Sequence, residues 1–169
     1  MNGLYLGIDP GLSGAIALVS GDGQFVMVED MPLMARGNGR VRHEVDAGGI
    51  AHLLRSHASD IVHGVIEQVA AMPGQGVASM FSLGHSLGTA TAVVASIGIG
   101  FELLPPTKWK RLAELPADKA RVLAAARRRW PGAPLTRVKD HGRAEALFLA
   151  LLAMQRNHTN SRTCGAFSE

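Results

Sequence analysis

Cysteine is almost absent from this chain of 169 residues, which contains only Cys164. A single cysteine excludes an internal disulfide framework and a zinc site built from several cysteines. A reducing, cytoplasmic setting is therefore expected.

Acidic residues are also few, with 14 Asp and Glu against 17 Lys and Arg, a formal charge of +3 and a pI near 9.5. This charge alone gives only weak support for an anionic partner. No continuous apolar run reaches the length of a membrane span, and no basic leader precedes the first apolar stretch, so no membrane association is expected. With 47% hydrophobic residues, the chain has the size of one folded domain.

What the sequence does contain is a series of short, apolar, β-rich segments at its start. Residues 3–9, 14–20 and 24–29 are separated by turn sequences rich in glycine. They predict three consecutive antiparallel strands, whereas a doubly wound nucleotide-binding domain would alternate strand and helix from the start. The expected class is α/β with an antiparallel flank.

The remaining pattern predicts two more strands and five helices within a domain spanning residues 1–156. The strands are expected at 61–69 and 101–104, and the helices at a segment capped by Asp46, at 77–97, 106–113, 118–129 and 140–155. Residues 34–44 combine arginines with glycines and predict an exposed loop that can meet phosphate. Residues 157–169 are expected to form a flexible C-terminal tail.

Two carboxylates are predicted at the ends of buried strands. Asp9 ends an apolar strand directly before Pro10, and Glu67 ends the apolar segment 61–66. Either residue alone would be interpreted as a strand-end or turn former. If the two strands are neighbours, however, the carboxylates converge.

Clustered carboxylates repel one another unless a cation neutralises them, and a hard divalent ion with oxygen ligands is the usual solution. Magnesium is therefore the expected cofactor, with manganese as a substitute. Such ions activate water and stabilise the attacking and leaving oxygens of phosphodiester hydrolysis, ideally as a pair about 4 Å apart.

A third group of polar residues opens the last apolar helix. His141 and Glu145 lie one turn apart on the same helix face. Asp140 is off that face and is equally well interpreted as a helix N-cap, while His141 alone could be a solvent-facing residue of the first turn. Geometry favours His141 as a fourth ligand or as the group that acts on the attacking water, and the preference of magnesium for oxygen favours Asp140.

Three segments in this order, residues 6–11 (LGIDPG), 66–69 (IEQV) and 139–147 (KDHGRAEAL), resemble the RuvC-type Holliday junction resolvases, particularly their small phage-like members. The resemblance covers nearly the whole chain. It implies an RNase H-like fold with a five-stranded mixed sheet and flanking helices. It also implies a magnesium-dependent endonuclease that cuts four-way junctions or other branched DNA in recombination and repair, in a bacterial or phage-infected cell.

The resemblance further implies that Asp9, Glu67 and Glu145 bind metal, and that the chain forms a homodimer, for which a small-residue face near Gly84 and Gly88 offers a surface. The candidate DNA contacts are Lys108, Lys110, Lys119, Arg143, Arg36 and Arg40. Trp109, between two of these lysines, is interpreted either as a core or cover residue or as a base-stacking platform.

Two positions depart from the common bacterial pattern. Gly142 stands where a ligand would lie three residues before Glu145. Residues 70–76 lack the aromatic wedge that often follows the glutamate, so Met72 is the candidate for opening the junction.

Two other functions compete with this hypothesis. Sugar kinases and actin-like ATPases share a Gly-Ile-Asp-x-Gly opening on a related fold, but they need two such domains to clamp ATP, and this chain lacks a second phosphate loop. A non-catalytic module that binds branched DNA is the other alternative. Acids at all three positions argue against it, and a cleavage assay with magnesium distinguishes the two.

Overall fold

The computed structural model describes residues 3–37, 43–71 and 73–164, with only the backbone from residue 160 onward. Its main sheet has five strands, namely β1 (Leu4–Asp9), β2 (Ala15–Ser20), β3 (Phe25–Asp30), β6 (Ile61–Glu67) and β7 (Phe101–Leu104). Their order across the sheet is β3-β2-β1-β6-β7. The first three strands are antiparallel, whereas β1 pairs in parallel with β6 and β6 with β7. The predicted mixed sheet with an antiparallel flank is confirmed.

In the described part of the chain, five helices flank this sheet, as expected. They are α1 (Ala47–Arg55), α2 (Val77–Ser96), α3 (Pro106–Leu112), α4 (Lys119–Arg129) and α5 (His141–Cys164). Asp118 caps α4 by accepting a hydrogen bond of 2.7 Å from the amide of Arg121. Asp46 holds the N-cap position of α1 as predicted, but its side chain makes no capping hydrogen bond.

The helices cover both faces of the sheet, which explains why β1 and β2 are continuous apolar runs. Tyr5 points to one face, where α3, α4 and α5 pack, and Leu6 to the other, where α1 and α2 pack. The central contact is between β1 and α5: a side chain at Gly7 would meet the backbone of α5 at Ala146 and Ala150. Glycine at this position lets strand and helix touch directly.

The interpretation of residues 34–44 as a loop was wrong for residues 34–35 and 43–44, whereas Arg36 and Gly37 lie in an exposed loop as predicted. Strands β4 (Leu33–Ala35) and β5 (His43–Val45) form a separate antiparallel pair. Their three-residue length and largely exposed side chains give no apolar alternation, so their backbone pairing left no signal in the sequence.

Helix α5 runs past its predicted end at residue 155 and continues to Cys164. Arg156 pairs with Glu102, and the amide of Asn157 donates to the Tyr5 hydroxyl at 3.1 Å. The first residue of the predicted tail therefore contacts β1, while the flexibility of residues 157–169 stays a prediction.

Helix α2 exposes much of its apolar surface. Val77 is 79% exposed and Phe81 61%, and a side chain added at Gly84 or Gly88 would meet nothing within 4 Å. By length and composition alone α2 could cross a membrane. From the sequence no membrane span is predicted, because no continuous apolar run is long enough. Its other face packs on α1 and β5.

Candidate active site

Asp9 and Glu67 end two neighbouring strands at the same edge of the sheet. Strands β1 and β6 run in parallel, with Ile8 opposite Ile66 in the register, so the residues that follow leave the sheet side by side. The two carboxylates interact electrostatically. The convergence expected from two apolar runs that each end in an acid is therefore present.

Glu145 joins these two carboxylates from above the sheet. It lies in the second turn of α5, the helix that rests directly on β1, and is only 5% exposed. Its charge acts on both Asp9 and Glu67. Three acidic residues from three separate elements thus form one cluster, the carboxylate cluster.

Two members of this cluster, Asp9 and Glu67, have raised pKa values. Burial among protein atoms raises the pKa of Asp9 to about 7, and the negative charges of Glu67 and Glu145 add to the effect, although the Gly11 amide and Lys119 oppose it. Burial is also the main reason why the pKa of Glu67 is raised. Without a further cation, Asp9 therefore resists ionisation near neutral pH, because its pKa is about 7.

Helix α3 supplies two consecutive side chains that hold this cluster. The indole nitrogen of the fully buried Trp109 donates to Oε2 of Glu67 at 2.7 Å. The ammonium of Lys110 lies 2.7 Å from Oε1 of Glu145. Of the two interpretations of Trp109, the core residue is confirmed, but its role as a hydrogen-bond donor to Glu67 was missed. The sequence offers no sign of it, because it depends on where α3 crosses the strand ends.

His141 lies beside the carboxylate cluster, in an open cleft that it lines together with Asp9, Lys119, Lys139 and the turn at residues 11–14. Its Nδ1 is 3.2 Å from the carbonyl oxygen of Lys119. The partly exposed imidazole therefore lies at the cleft beside the carboxylate cluster, as its position one helical turn before Glu145 predicts.

Asp140 is engaged elsewhere. Its side chain is completely buried, and its two oxygens accept hydrogen bonds of 2.6 and 2.7 Å from the side chain and the amide of Arg137. Both oxygens are used within the protein, so the structure does not bring Asp140 into the cleft. The alternative in which it serves as the fourth ligand does not agree with this geometry.

Arg143, a candidate DNA contact, belongs to the same network as Asp140. Its Nε donates to Asp30 at 2.6 Å, its Nη1 donates to the carbonyl of Pro134, and its side chain is only 14% exposed. Arg137 also donates to both oxygens of Asp30. The guanidinium of Arg143 thus ties the start of α5 to the end of β3 instead of facing solvent.

Gly142 departs from the family pattern for a reason that the structure makes visible. A side chain at this position would collide with the backbone of Ser13 and Gly14 in the turn between β1 and β2. The first turn of α5 therefore packs on that turn only because residue 142 has no side chain. No ligand can be presented from this position.

The other candidate DNA contacts are distributed around the cleft and beyond it. Lys119 and Lys108 are exposed, and Lys119 lines the cleft itself. Arg36 pairs with Glu44 at 3.5 Å and lies over the ring of Phe81, on α2. Arg40 and Met72 lie outside the described residues.

The donor set suits a hard divalent cation, because three carboxylates crowd together and two of them have raised pKa values. In the described part of the chain, however, no group of three or more His, Cys, Asp or Glu side chains is arranged to hold an ion. One oxygen of Glu67 and one of Glu145 are taken by Trp109 and Lys110. An ion bound through Oε1 of Glu145 would share that oxygen with the ammonium of Lys110.

The fold is similar to that of a solved protein, RuvC from Thermus thermophilus. A structure of T. thermophilus RuvC in complex with a Holliday junction substrate matches with a TM-score of 0.62 at 15% sequence identity, over 94% of this chain and 95% of that one. A second T. thermophilus RuvC structure matches with a TM-score of 0.52 at 17% identity, over 95% and 97% of the two chains. No protein-family model and no curated protein sequence matches the chain. The predicted RuvC-like, RNase H-like fold is confirmed.

Proposed function

We propose that the chain is a structure-selective endonuclease that hydrolyses phosphodiester bonds in branched DNA with the help of magnesium. The observation that carries this proposal is the carboxylate cluster, in which Asp9, Glu67 and Glu145 meet below a cleft lined by lysines. Clustered carboxylates beside cationic side chains suit a metal-assisted attack on a phosphodiester. A purely structural role would not bring together three partly or fully buried acids.

In this mechanism, the three carboxylates would hold the cation, which when bound supplies charge neutralisation and an activated water. His141 lines the cleft, where its imidazole would accept or position a proton of the attacking water. Lys119 faces the same cleft, where an ammonium can bind a phosphate oxygen. Trp109 keeps Glu67 in one orientation through its indole hydrogen bond.

Four-way junctions are the substrate that we propose first. The protein in one of the similar structures was solved with a Holliday junction, and the cleft here is open and bordered by lysines. An open, basic cleft admits a duplex arm without reading its base sequence.

A homodimer would match the two-fold symmetry of such a junction, and we place its interface on the exposed face of α2. Phe81 is the largest exposed apolar side chain there. Phe81→Glu should turn a dimer into a monomer in light scattering, whereas Val138→Glu, at an exposed residue away from α2, should leave the dimer intact. A wild-type monomer, both free and on DNA, would refute the dimer.

A second candidate function, a module that binds branched DNA without cutting it, is favoured by one observation. Lys110 already neutralises Glu145, so the protein has a built-in counter-charge for one member of the carboxylate cluster. The same cleavage assay separates the two functions.

The assay uses a panel of end-labelled four-way junctions, forks, flaps and linear duplexes, incubated with magnesium or with a chelator. Cleavage should be confined to branched DNA with magnesium. Asp9→Asn should abolish cleavage and retain binding. Asp60→Asn, at an exposed acid before the opposite end of β6, is the matched control and should cut normally. If wild-type protein binds junctions without cutting them under any metal condition, the non-catalytic function is correct.

A further inference from the structure

Lys110 makes a direct ion pair with the carboxylate cluster. Its ammonium is 2.7 Å from Oε1 of Glu145, and the two side chains are 18% and 6% exposed. In the described residues no other ion pair joins a basic side chain to Asp9, Glu67 or Glu145. Lys119 acts on Asp9 and Glu67 only through space.

The pair satisfies an electrostatic need of the folded protein. A carboxylate as buried as that of Glu145 is unfavourable unless a counter-charge accompanies it. Lys110 supplies that charge from α3, where the adjacent, fully buried Trp109 fixes the helix in place. Glu145 is thereby neutralised without any bound ion.

The same contact conflicts with cation binding. The oxygen that accepts from the ammonium cannot direct the same electron pair to an ion, and an ammonium left in place would repel a divalent cation held by the same carboxylate. Lysine can leave such a position readily because its charge is carried on a flexible four-carbon stem. Lys110 also lines an open cavity beside α3, with Thr107, Arg111 and Leu115, into which the stem can turn.

We propose that Lys110 and a divalent cation are alternative partners of Glu145: the lysine holds the carboxylate cluster when no ion is bound and is released when an ion enters. This inference rests on the metal site of the proposed function. Coupling of this kind is reciprocal. If a bound ion weakens the contact between Lys110 and Glu145 by a given factor, that contact weakens ion binding by the same factor. Removing the lysine charge should therefore increase the affinity for the ion.

Titration calorimetry of the purified, chelator-treated protein with manganese or magnesium tests the competition. Lys110→Met keeps the stem and removes the charge, and it should tighten ion binding by about 5- to 150-fold, the usual range for coupled sites. Lys119→Met is the matched control because it removes an equal charge that makes no ion pair with the cluster, so its effect should be clearly smaller. Lys110→Gln, which retains a hydrogen-bond donor, replaces the methionine variant if that variant unfolds.

A second measurement follows the Lys110 ammonium in the wild-type protein, so it does not depend on ion binding by any variant. The ammonium signal of Lys110 in the nitrogen-15 NMR spectrum of the wild-type protein is assigned from its loss in Lys110→Gln. Addition of diamagnetic magnesium should move this signal to the position of solvent-exposed lysines. The signals of Lys108 and Lys139 serve as internal references.

The outcomes separate the inference from the function on which it rests. If wild-type protein binds an ion, Asp9→Asn does not, and Lys110→Met binds no more tightly than wild type, the competition is refuted and the metal site stands. Equal increases in ion affinity in Lys110→Met and Lys119→Met also refute the competition, because the increase would then come from the loss of any nearby positive charge and not from the loss of the ion pair. If neither wild-type protein nor Lys110→Met binds an ion, both the inference and the metal site fail.

Discussion

The indole of Trp109 donates a 2.7 Å hydrogen bond to Glu67, a residue 42 positions earlier in the chain. This bond is the main influence that opposes the burial-driven rise in the pKa of Glu67. It connects α3 to the end of β6, so the position of one carboxylate depends on a helix that carries none of the acids.

Trp109→Phe should therefore weaken ion binding and cleavage by about 10- to 100-fold, as loss of an outer hydrogen bond to a metal ligand commonly does. Trp130→Phe is the matched control: Trp130 is also buried, and its indole donates at 3.0 Å to the carbonyl of Gly23, away from the carboxylate cluster. Both variants should lose some stability. Calorimetry and cleavage kinetics should distinguish them, and equal activity losses would show that Trp109 acts only by packing.

Asp9→Asn should make the metal-free protein more stable above neutral pH. Since the pKa of Asp9 is raised from 3.8 to about 7, the folded state binds its proton more tightly than the unfolded state does. The stability that this group contributes is complete below pH 3.8 and is lost as pH rises through about 7. The pKa difference corresponds to a ceiling of about 4 kcal/mol.

Urea unfolding in chelator over a pH series measures this effect. The difference in unfolding free energy between Asp9→Asn and wild type should grow in favour of the variant from about pH 4 to about pH 7 and then level off. Asp60→Asn supplies the baseline for an exposed acid. A difference that does not change with pH would mean that Asp9 is well solvated in the folded protein.

His141 and Asp140 should differ in what they affect. His141→Ala should reduce cleavage by about 100- to 10,000-fold with little change in stability, as expected for a group that moves a proton at the cleft. Asp140→Asn should lower stability because the buried side chain loses the charge that pairs with Arg137, although Arg137 keeps its contact with Asp30, while molecules that remain folded still cut. His141→Asp should retain activity if the position binds metal.

Cleavage rates normalised to the folded fraction, measured by circular dichroism, decide between the two residues. A fully active His141→Ala together with a folded but inactive Asp140→Asn would reverse the assignment.

Gly142→Ala should damage the site although it adds only one methyl group. That methyl would collide with the backbone of Ser13 and Gly14, which no side-chain rotation can relieve. The start of α5 must then move away from the turn that follows Asp9. We expect a loss of about 1–3 kcal/mol from overpacking and a large drop in cleavage.

Gly132→Ala is the control for this substitution. Its methyl would point into open space in the turn after α4, away from α2, and it should raise stability by no more than about 1 kcal/mol and leave cleavage unchanged. Thermal unfolding and cleavage of the two variants would show whether contact with the β1–β2 turn matters. Normal activity in Gly142→Ala would show that it does not.

The sequence predicted the sheet and two members of the carboxylate cluster because both depend on local pattern. A buried strand is a run of apolar residues, and an acid that ends such a run must leave the sheet at its edge, as Asp9 and Glu67 do. Glu145 followed from the period of a helix whose other residues are apolar. The sheet, the two strand-end acids and Glu145 could therefore each be predicted without knowledge of contacts between distant elements.

What the sequence did not predict depends on contacts between distant elements. Whether Asp140 faced the cleft or an arginine was decided by Arg137, whose side chain also reaches Asp30 on β3. The hydrogen bond of Trp109 and the ion pair of Lys110 likewise depend on how α3 lies across the strand ends. Neither residue spacing nor composition carries that information.

The direct contact between β1 and α5 joins two segments that lie far apart in the sequence. Glu145 follows Asp9 by 136 positions, and the glycine at position 7 lets the helix that carries Glu145 rest on the strand that carries Asp9. Closing a loop of this length costs conformational entropy before the contact repays it. The carboxylate cluster is therefore complete only while α5 is packed on β1, so local unfolding of α5 takes the third acid away from the other two.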